Sequence, residues 1–93
     1  MIKHIVLMKL KDQSDRPKAL NALLAMKGQI EGLLDLEVGA DFLGSERSYD
    51  IALACTLTDR AALDFYQAHP LHQPVKQLMR EIRSSSVSAD YEI

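Results

Sequence analysis

The sequence predicts an α+β fold of the ferredoxin-like type, in which a four-stranded antiparallel sheet is built in the order β-α-β-β-α-β. Four stretches show the alternation of apolar and polar side chains that is typical of strands. Apolar residues at helical spacing follow the first and the third of these stretches. At 93 residues, the chain 1–93 is expected to form a single domain.

The first strand is predicted from Ile2 to Leu10, a stretch rich in β-branched residues and free of Gly and Pro. Its even positions form the more continuous apolar face, whereas its odd positions are apolar in the middle and charged at the ends. Because successive side chains of a strand point to opposite faces, we assign the even face to the helices. This assignment places His4 in the interior.

The first helix is expected to begin at Pro17, since proline suits the first helical position. Glycines at 28 and 32 loosen the helix and then end it. Its apolar stripe is expected to wall a cavity and to contact a ligand through Leu20, Leu23 and Leu24, with Ile30 continuing the stripe.

Two alternating strands follow, Leu33 to Phe42 and Tyr49 to Leu57, and the short polar turn between them predicts an antiparallel hairpin. A second helix, capped by Thr58 or Asp59, should end before Pro70. A further helix is predicted after Pro74, and the last strand from Arg83 to Ile93.

The sheet face turned away from the helices is expected to meet another sheet. It carries Ile5 and Leu7 at its centre, flanked by Ala52, Ala54 and small serines. A face so apolar at its middle is poorly suited to water, and a domain of this size gains stability from a partner subunit. We therefore predict a homodimer in which two sheets form a barrel.

Composition and charge exclude several classes of partner. The net charge is −2 and no basic stripe or arginine cluster is visible, so we expect no nucleic acid. No apolar run approaches the roughly 20 residues of a membrane helix, so we expect no membrane. Cys55 is the single cysteine and no signal peptide is visible, which predicts a cytoplasmic protein. We expect no cofactor.

Most of the reactive side chains lie between Tyr66 and His72. An imidazole titrates near neutral pH, so His72 is the candidate general base. Tyr66 could donate its hydroxyl to a developing enolate oxygen. Ordinary structural roles are the alternatives: a backbone-bonded histidine at a helix start, and a core tyrosine with a satisfied hydroxyl.

The other two histidines have weaker claims to a catalytic role. A lone mid-strand histidine such as His4 is usually a satisfied core residue, and it gains interest only where it converges with His72. His69 precedes a proline and is expected to hold the bend through a backbone hydrogen bond. His69, His72 and His4 could in principle bind a metal, but Pro70 interrupts the helical register, so no metal site is predicted.

Four segments resemble the stress-responsive dimeric α/β-barrel (Dabb) family over nearly the whole chain. They are residues 3–9 (KHIVLMK), 38–41 (VGAD), 48–50 (SYD) and 66–72 (YQAHPLH). The resemblance implies a ferredoxin-like protomer and a two-sheet barrel. In the family's plant olivetolic acid cyclase, which closes a polyketide by aldol chemistry, functional residues match Tyr66, His72 and His4. The cyclase has a histidine where this chain has Ile51, and its first-helix tyrosine has no clear counterpart near Leu23 and Leu24.

Three functions remain open on the sequence. The first is binding of a small hydrophobic carbonyl compound with general acid–base chemistry of a cyclase or lyase kind, carried by His72, Tyr66 and His4. The second is a binding or stress-response module without catalysis. The third is a cofactor-free monooxygenase-like enzyme, for which fold analogy is the only support.

Overall fold

The structure of the protein is a computed structural model that describes all residues from 1 to 93. It contains four strands, three helices and one short 3₁₀ turn at Gln13–Asp15. The elements are β1 (Ile2–Leu10), α1 (Arg16–Leu24), β2 (Leu33–Ala40), β3 (Ile51–Leu57), α2 (Arg60–Ala68), α3 (His72–Ile82) and β4 (Arg83–Glu92). The strands form one antiparallel sheet in the order β2-β3-β1-β4, and the ferredoxin-like fold is confirmed.

The core lies between the helices and one face of the sheet. On β1 the even positions carry the core side chains, among them Ile2, Met8 and Leu10, which are buried. They pack with buried residues of all three helices, such as Leu23, Tyr66 and Met79. Since burial of apolar surface is the main favourable contribution to folding, this layer fixes the helices over the sheet.

The opposite sheet face is more apolar than the sequence indicated. In the register of β1 with β4, Leu7 pairs with Val87 and Ile5 with Ala89. Alternation then turns the intervening Ser86 and Ser88 to the helix side, so the expectation that serines flank this outer face is wrong for them. Val87 remains exposed in the single chain. The outer face is therefore a continuous apolar strip along β1, β3 and β4.

The first helix and second strand are shorter than predicted. Helix α1 ends at Leu24, and the segment 25–32 runs through turns before β2. Strand β2 ends at Ala40, which leaves Phe42 97% exposed in the following loop. A register shift between Leu33 and Asp35 explains why Leu33 is buried whereas Leu34 is 55% exposed.

The remaining boundaries differ by a few residues. Strand β3 begins at Ile51, two residues after the predicted start, and β4 ends at Glu92. Helix α2 is capped by Asp59, whose carboxylate accepts a hydrogen bond from the Ala62 N–H at 2.8 Å. Helix α3 begins at His72 and not after Pro74. The proline lies in the first turn, where backbone N–H groups have no partner within the helix and its missing donor costs nothing.

Gly32 brings the start of α2 close to the entry of β2. Its φ of +86° lies in the left-handed region, and a Cβ at this position would stand 2.8 Å from the Ala62 Cβ. Only glycine allows this approach of helix and turn. None of the helices combines the length and the apolar character needed to cross a membrane.

Candidate active site

His4, Tyr66 and His72 converge on one cavity of about 300 Å³ between the sheet and α3. The ring centroids of Tyr66 and His72 are 4.3 Å apart, and those of His4 and Tyr66 are 5.9 Å apart. The three residues are 6%, 0% and 8% exposed, respectively. Strand β1 and the two ends of the α2–α3 bend thus bring three polar aromatic groups into a largely apolar layer.

The bend between α2 and α3 orients His72. A helical carbonyl normally accepts from the residue four positions later, but for Tyr66 that residue is Pro70, which has no N–H. The Tyr66 carbonyl instead accepts the His69 N–H at 3.3 Å and the His72 Nδ1 at 3.0 Å. The proline therefore leaves a backbone acceptor free to fix the imidazole.

This contact defines the protonation of the His72 ring. A carbonyl oxygen only accepts hydrogen bonds, so Nδ1 carries the proton and Nε2 has a lone pair. Nε2 has no hydrogen-bond partner in the protein and is not sealed from solvent. Burial lowers the pKa of His72 below 6.5 against the opposing effect of the hydrogen bond to the Tyr66 carbonyl, and the positive charge of Lys76 lowers this pKa further. At neutral pH the ring is therefore neutral and can accept a proton.

His4 is held by an acidic partner on the last strand. The residues are paired across β1 and β4, and the His4 Nδ1 hydrogen-bonds to the Asp90 carboxylate. Because a carboxylate accepts, the His4 Nε2 is left unprotonated in the neutral ring, like that of His72. Asp90 was not identified from the sequence. The alternation placed Asp90 on the face of β4 that does not carry Val87 and Ala89. Only the register of β4 against β1 shows that its partner is His4.

The Tyr66 hydroxyl keeps its own proton and can donate it in a hydrogen bond. The Cys55 thiol lies 3.8 Å from the hydroxyl oxygen and donates to it, which leaves the hydroxyl's own proton without a protein acceptor. Burial raises the pKa of Tyr66 far above its ordinary value and that of Cys55 to about 11. Both groups therefore stay protonated near neutral pH, and Cys55 is a buried thiol with little thiolate character.

His69 stands outside the cavity. Its Nδ1 accepts the Leu71 N–H at 3.1 Å, which confirms the prediction that it holds the bend through a backbone hydrogen bond. Its ring packs edge-on against Phe65, 5.3 Å away. The structure brings together no set of three or more His, Cys, Asp or Glu side chains in a metal-binding arrangement.

Of the three leucines predicted to contact a ligand, only Leu23 lines the cavity. Leu20 packs against the edge of the core without reaching the cavity, and Leu24 is 48% exposed. The prediction is therefore wrong for Leu20 and Leu24. Adjacent residues differ by about 100° around a helix, so Leu23 and Leu24 cannot both face the sheet squarely. Apolar walls come instead from Val6, Met8, Leu53, Val75 and Met79.

Three basic residues also line the cavity, namely Lys76, Arg80 and Arg83. No arginine cluster was visible in the sequence, because two of these residues are four apart on a helix and the third lies on the next strand. Successive spacings of four and three residues in the sequence could have indicated that these three side chains lie on one side of a helix. Together with Ser86 and Ser88, they give one side of the cavity a polar and positive character.

The chain matches the family model described as the stress responsive A/B barrel domain over residues 2–93. The chain belongs to this family. An uncharacterised protein of Streptomyces coelicolor is 39% identical and matches over 99% of both chains. A dimeric protein of unknown function from Bacteroides fragilis with a ferredoxin-like fold is 29% identical, with a TM-score of 0.83 and coverage of 99% of this chain and 95% of that one.

Solved structures of lower sequence identity share the fold. A dimeric ferredoxin-like protein of unknown function from Thermobifida fusca has a TM-score of 0.89 at 23% identity, covering 99% of this chain and 90% of its own. A hydroxynitrile lyase from Passiflora edulis has a TM-score of 0.84 at 14% identity, with coverage of 99% of this chain and 92% of its own. An antibiotic biosynthesis monooxygenase has a TM-score of 0.80 at 16% identity, with coverage of 100% of this chain and 98% of its own. At these identities the likeness concerns the fold alone.

Proposed function

We propose that this barrel-domain protein binds a small carbonyl compound with an apolar body and removes a proton from the carbon next to the carbonyl group. His72 is the base and Tyr66 the hydrogen-bond donor to the carbonyl oxygen. One observation carries the proposal: His72 is anchored at Nδ1 by a backbone carbonyl, so its unprotonated Nε2 is available in the cavity that Tyr66 also lines.

The reaction follows from these positions. The His72 Nε2 takes the proton from the carbon, the C–H electron pair forms a C=C bond, and the carbonyl π pair moves to oxygen as an enolate. The Tyr66 hydroxyl stabilises that negative charge as it develops. The enolate carbon can then attack a second carbonyl carbon of the substrate, as in a cyclase, so that the C=O π pair moves to oxygen and this oxygen takes the proton back from His72. Alternatively, the enolate carbon itself takes the proton back. In this proposal no cofactor takes part.

His4 has a supporting role in this proposal. Asp90 holds its Nδ1–H, so its Nε2 offers a second acceptor at the same cavity. A substrate hydroxyl or enol would be bound there while His72 handles the carbon acid. The apolar walls around Met8 and Leu23 would hold the body of the substrate and exclude water, which strengthens the polar contacts.

We also propose that the protein acts as a homodimer joined through the outer sheet face. The apolar strip of Ile5, Leu7, Val87 and Ala89 supports this assembly, and related structures of the family's fold are described as dimeric. The cavity lies on the helix side of the sheet, so such a dimer leaves it accessible.

Two alternatives use the same cavity. A module that only binds would use the apolar walls without proton transfer. A cofactor-free monooxygenase would let the enolate react with molecular oxygen, and the similarity in fold to the antibiotic biosynthesis monooxygenase is its support. A lyase-like reaction has the corresponding support from the hydroxynitrile lyase. Fold likeness cannot choose between these chemistries, because one fold carries many reactions.

Exchange of carbon-bound protons tests the proposal without knowledge of the natural substrate. Butyrophenone is incubated with the protein in heavy water, and loss of the proton signal beside the carbonyl group is followed by NMR. The wild type should accelerate the exchange, and His72→Gln should lower the rate by about 100-fold or more, the range of a lost general base. Lys18→Gln is the control, because Lys18 is exposed on α1 and lies outside both the cavity and the bend.

Each outcome assigns a function. Binding without exchange would refute the proposed chemistry and favour the binding module. Products that form only in the presence of oxygen would favour the monooxygenase. Equal exchange by the wild type and His72→Gln would show that this imidazole is not the base.

A further inference from the structure

We propose that the natural ligand carries an anionic group and that Lys76, Arg80 and Arg83 bind this group at one side of the cavity. The inference rests on the proposed function, because it concerns the same cavity and adds the charge of the ligand. The carbonyl end would then lie beside His72 and Tyr66, and the anionic end would lie toward the end of α3.

The three basic side chains are gathered by helix geometry. Lys76 and Arg80 are four residues apart on α3 and therefore lie on one face of the helix. Arg83 follows directly as the first residue of β4, where α3 ends. All three line the cavity, and both Lys76 and Arg83 are partly buried.

No carboxylate of the protein neutralises this group. The salt bridges of the chain join other residues: His4 with Asp90, Arg16 with Asp50, Lys27 with Asp35, and Arg60 with Glu92. The Lys76 ammonium donates to the carbonyl of Gln67, and neither guanidinium group has a hydrogen-bond partner. Glu81, the nearest acid in sequence, lines a different depression with Pro70 and Gln77.

This arrangement has a cost that a ligand can offset. Like charges four residues apart disfavour a helix, and three unpaired cations beside a cavity repel one another. An oxyanion bound between them removes that repulsion. A guanidinium matches a carboxylate or a phosphate with two parallel hydrogen bonds, and a nearby ammonium adds a point charge.

The shared chemistry is thus an oxyanion joined to a carbonyl-bearing apolar body. The anion could be a carboxylate or a phosphate group. The apolar lining from Val6, Met8 and Leu53 fits an aryl or alkyl portion and not a large polar one. A 4-oxo acid with an aromatic end has these features in one small molecule.

Three ketones with one skeleton test the inference. Butyrophenone is neutral, 4-oxo-4-phenylbutanoate carries a carboxylate, and 3-oxo-3-phenylpropylphosphonate carries a phosphonate. Their affinities are measured by NMR titration, with the signals of His4 and His72 reporting occupation of the cavity. We expect the tighter-binding of the two anionic ketones to bind about fivefold to tenfold more tightly than butyrophenone at low salt. High salt should weaken this preference.

Two variants separate the basic residues from general charge effects. Arg80→Met/Arg83→Met should reduce the preference, taken as the ratio of anionic to neutral ketone affinity in the same variant, to about twofold or less, since only Lys76 remains to attract the anion. The exposed Arg80→Met alone should reduce the preference and serves if the double variant unfolds. Lys18→Met removes an exposed lysine of α1 that does not line the cavity and should retain the preference.

The results distinguish the two proposals. Equal affinity of wild type for neutral and anionic ketones would overturn the anion site while leaving carbonyl binding intact. A double variant that keeps the preference would overturn the anion site as well. Failure of all three ketones to shift the His4 and His72 signals would overturn both proposals. A stronger effect of the phosphonate than of the carboxylate would identify the anion as phosphate-like.

Discussion

His4 and Asp90 lie opposite each other on β1 and β4, and the Nδ1 of the imidazole hydrogen-bonds to the carboxylate. They are 86 positions apart in the sequence, so only strand register brings them together. The pair fixes which His4 nitrogen bears the proton. It thereby determines what His4 presents to the cavity.

Asp90→Ala should therefore change the His4 tautomer with little loss of stability. Without the carboxylate, the ring loses the acceptor for Nδ1–H, and long-range proton–nitrogen NMR should show a mixture of tautomers. The cost in unfolding free energy should be at most about 1 kcal/mol, because Asp90 is partly exposed. Glu92→Ala is the control, since Glu92 pairs with Arg60. A His4 ring that keeps one tautomer in Asp90→Ala would contradict this role.

Tyr66→Phe should separate the two functions of residue 66. The carbonyl that anchors His72 remains, whereas the hydroxyl donor is lost. We expect exchange of ketone protons to slow by about 100-fold to 1,000-fold, the range of a lost oxyanion donor. The thermal midpoint should change little, since only a weak thiol hydrogen bond disappears. Tyr91→Phe, on the exposed edge strand, is the matched control. A rate unchanged by Tyr66→Phe would remove the hydroxyl from the mechanism.

Pro70→Ala tests how the bend controls the base. Alanine restores an N–H four residues after Tyr66, and this donor competes with His72 for the Tyr66 carbonyl. We expect His72 to sample a second tautomer and exchange to slow, while the oligomeric state stays the same. Pro74→Ala is the control. Pro74 lies in the first turn of α3, where a backbone N–H restored by alanine would find no carbonyl within the helix. Identical effects of the two variants would show that Pro70 acts only through general stability.

The buried His72 should make stability depend on pH near neutrality. Its pKa is lowered in the folded protein, so the unfolded chain binds more protons as the pH falls through 6.5. Stability should therefore fall as the pH drops from 6.5 toward the lowered folded pKa, and it should be fully retained above 6.5. Urea unfolding at a series of pH values measures this slope, and His72→Gln should flatten it. A slope of equal size in His72→Gln would assign it to other groups.

The outer sheet face should set the oligomeric state. Light scattering of the wild type should give about twice the chain mass of 10.4 kDa. Leu7→Asp places a charge in the apolar strip and should yield monomers or unfolded protein, since an unpaired charge is costly to bury. Leu24→Asp is the control, because Leu24 is exposed on the helix side. A wild-type mass near 10.4 kDa at micromolar concentration would refute the dimer.

Much of the fold could be predicted because it depends on local patterns. Alternation identified the four strands and the interior position of His4, and Pro17 and Pro70 marked helix ends. The errors have two sources, one in the pairing of strands and one at the start of a helix. The register shift near Leu33 turns the side chain of Leu34 away from the core, where alternation had placed it. Pro74 was expected to precede α3, but it lies inside the first turn of that helix.

The site was less predictable, because its contacts cross the sheet and the helix bend. The three ring residues could be named from the sequence, but the partner of His4 depends on the register of β4. The basic residues of α3 and β4 depend on the rotation of the helix above the sheet. Leu24 shows the same limit, since a helical stripe is wider than the line of contact with the core.

The group that fixes His72 belongs to the main chain at residue 66, and every amino acid at that position would supply it. Substitution of side chains one at a time would therefore not reveal the group that holds this imidazole. Such a series would report only the role of the Tyr66 ring and hydroxyl. A designer who moved His72 and Tyr66 onto another scaffold would transfer the reactive groups without their alignment. The smallest portable unit is the turn itself, including the missing N–H of Pro70.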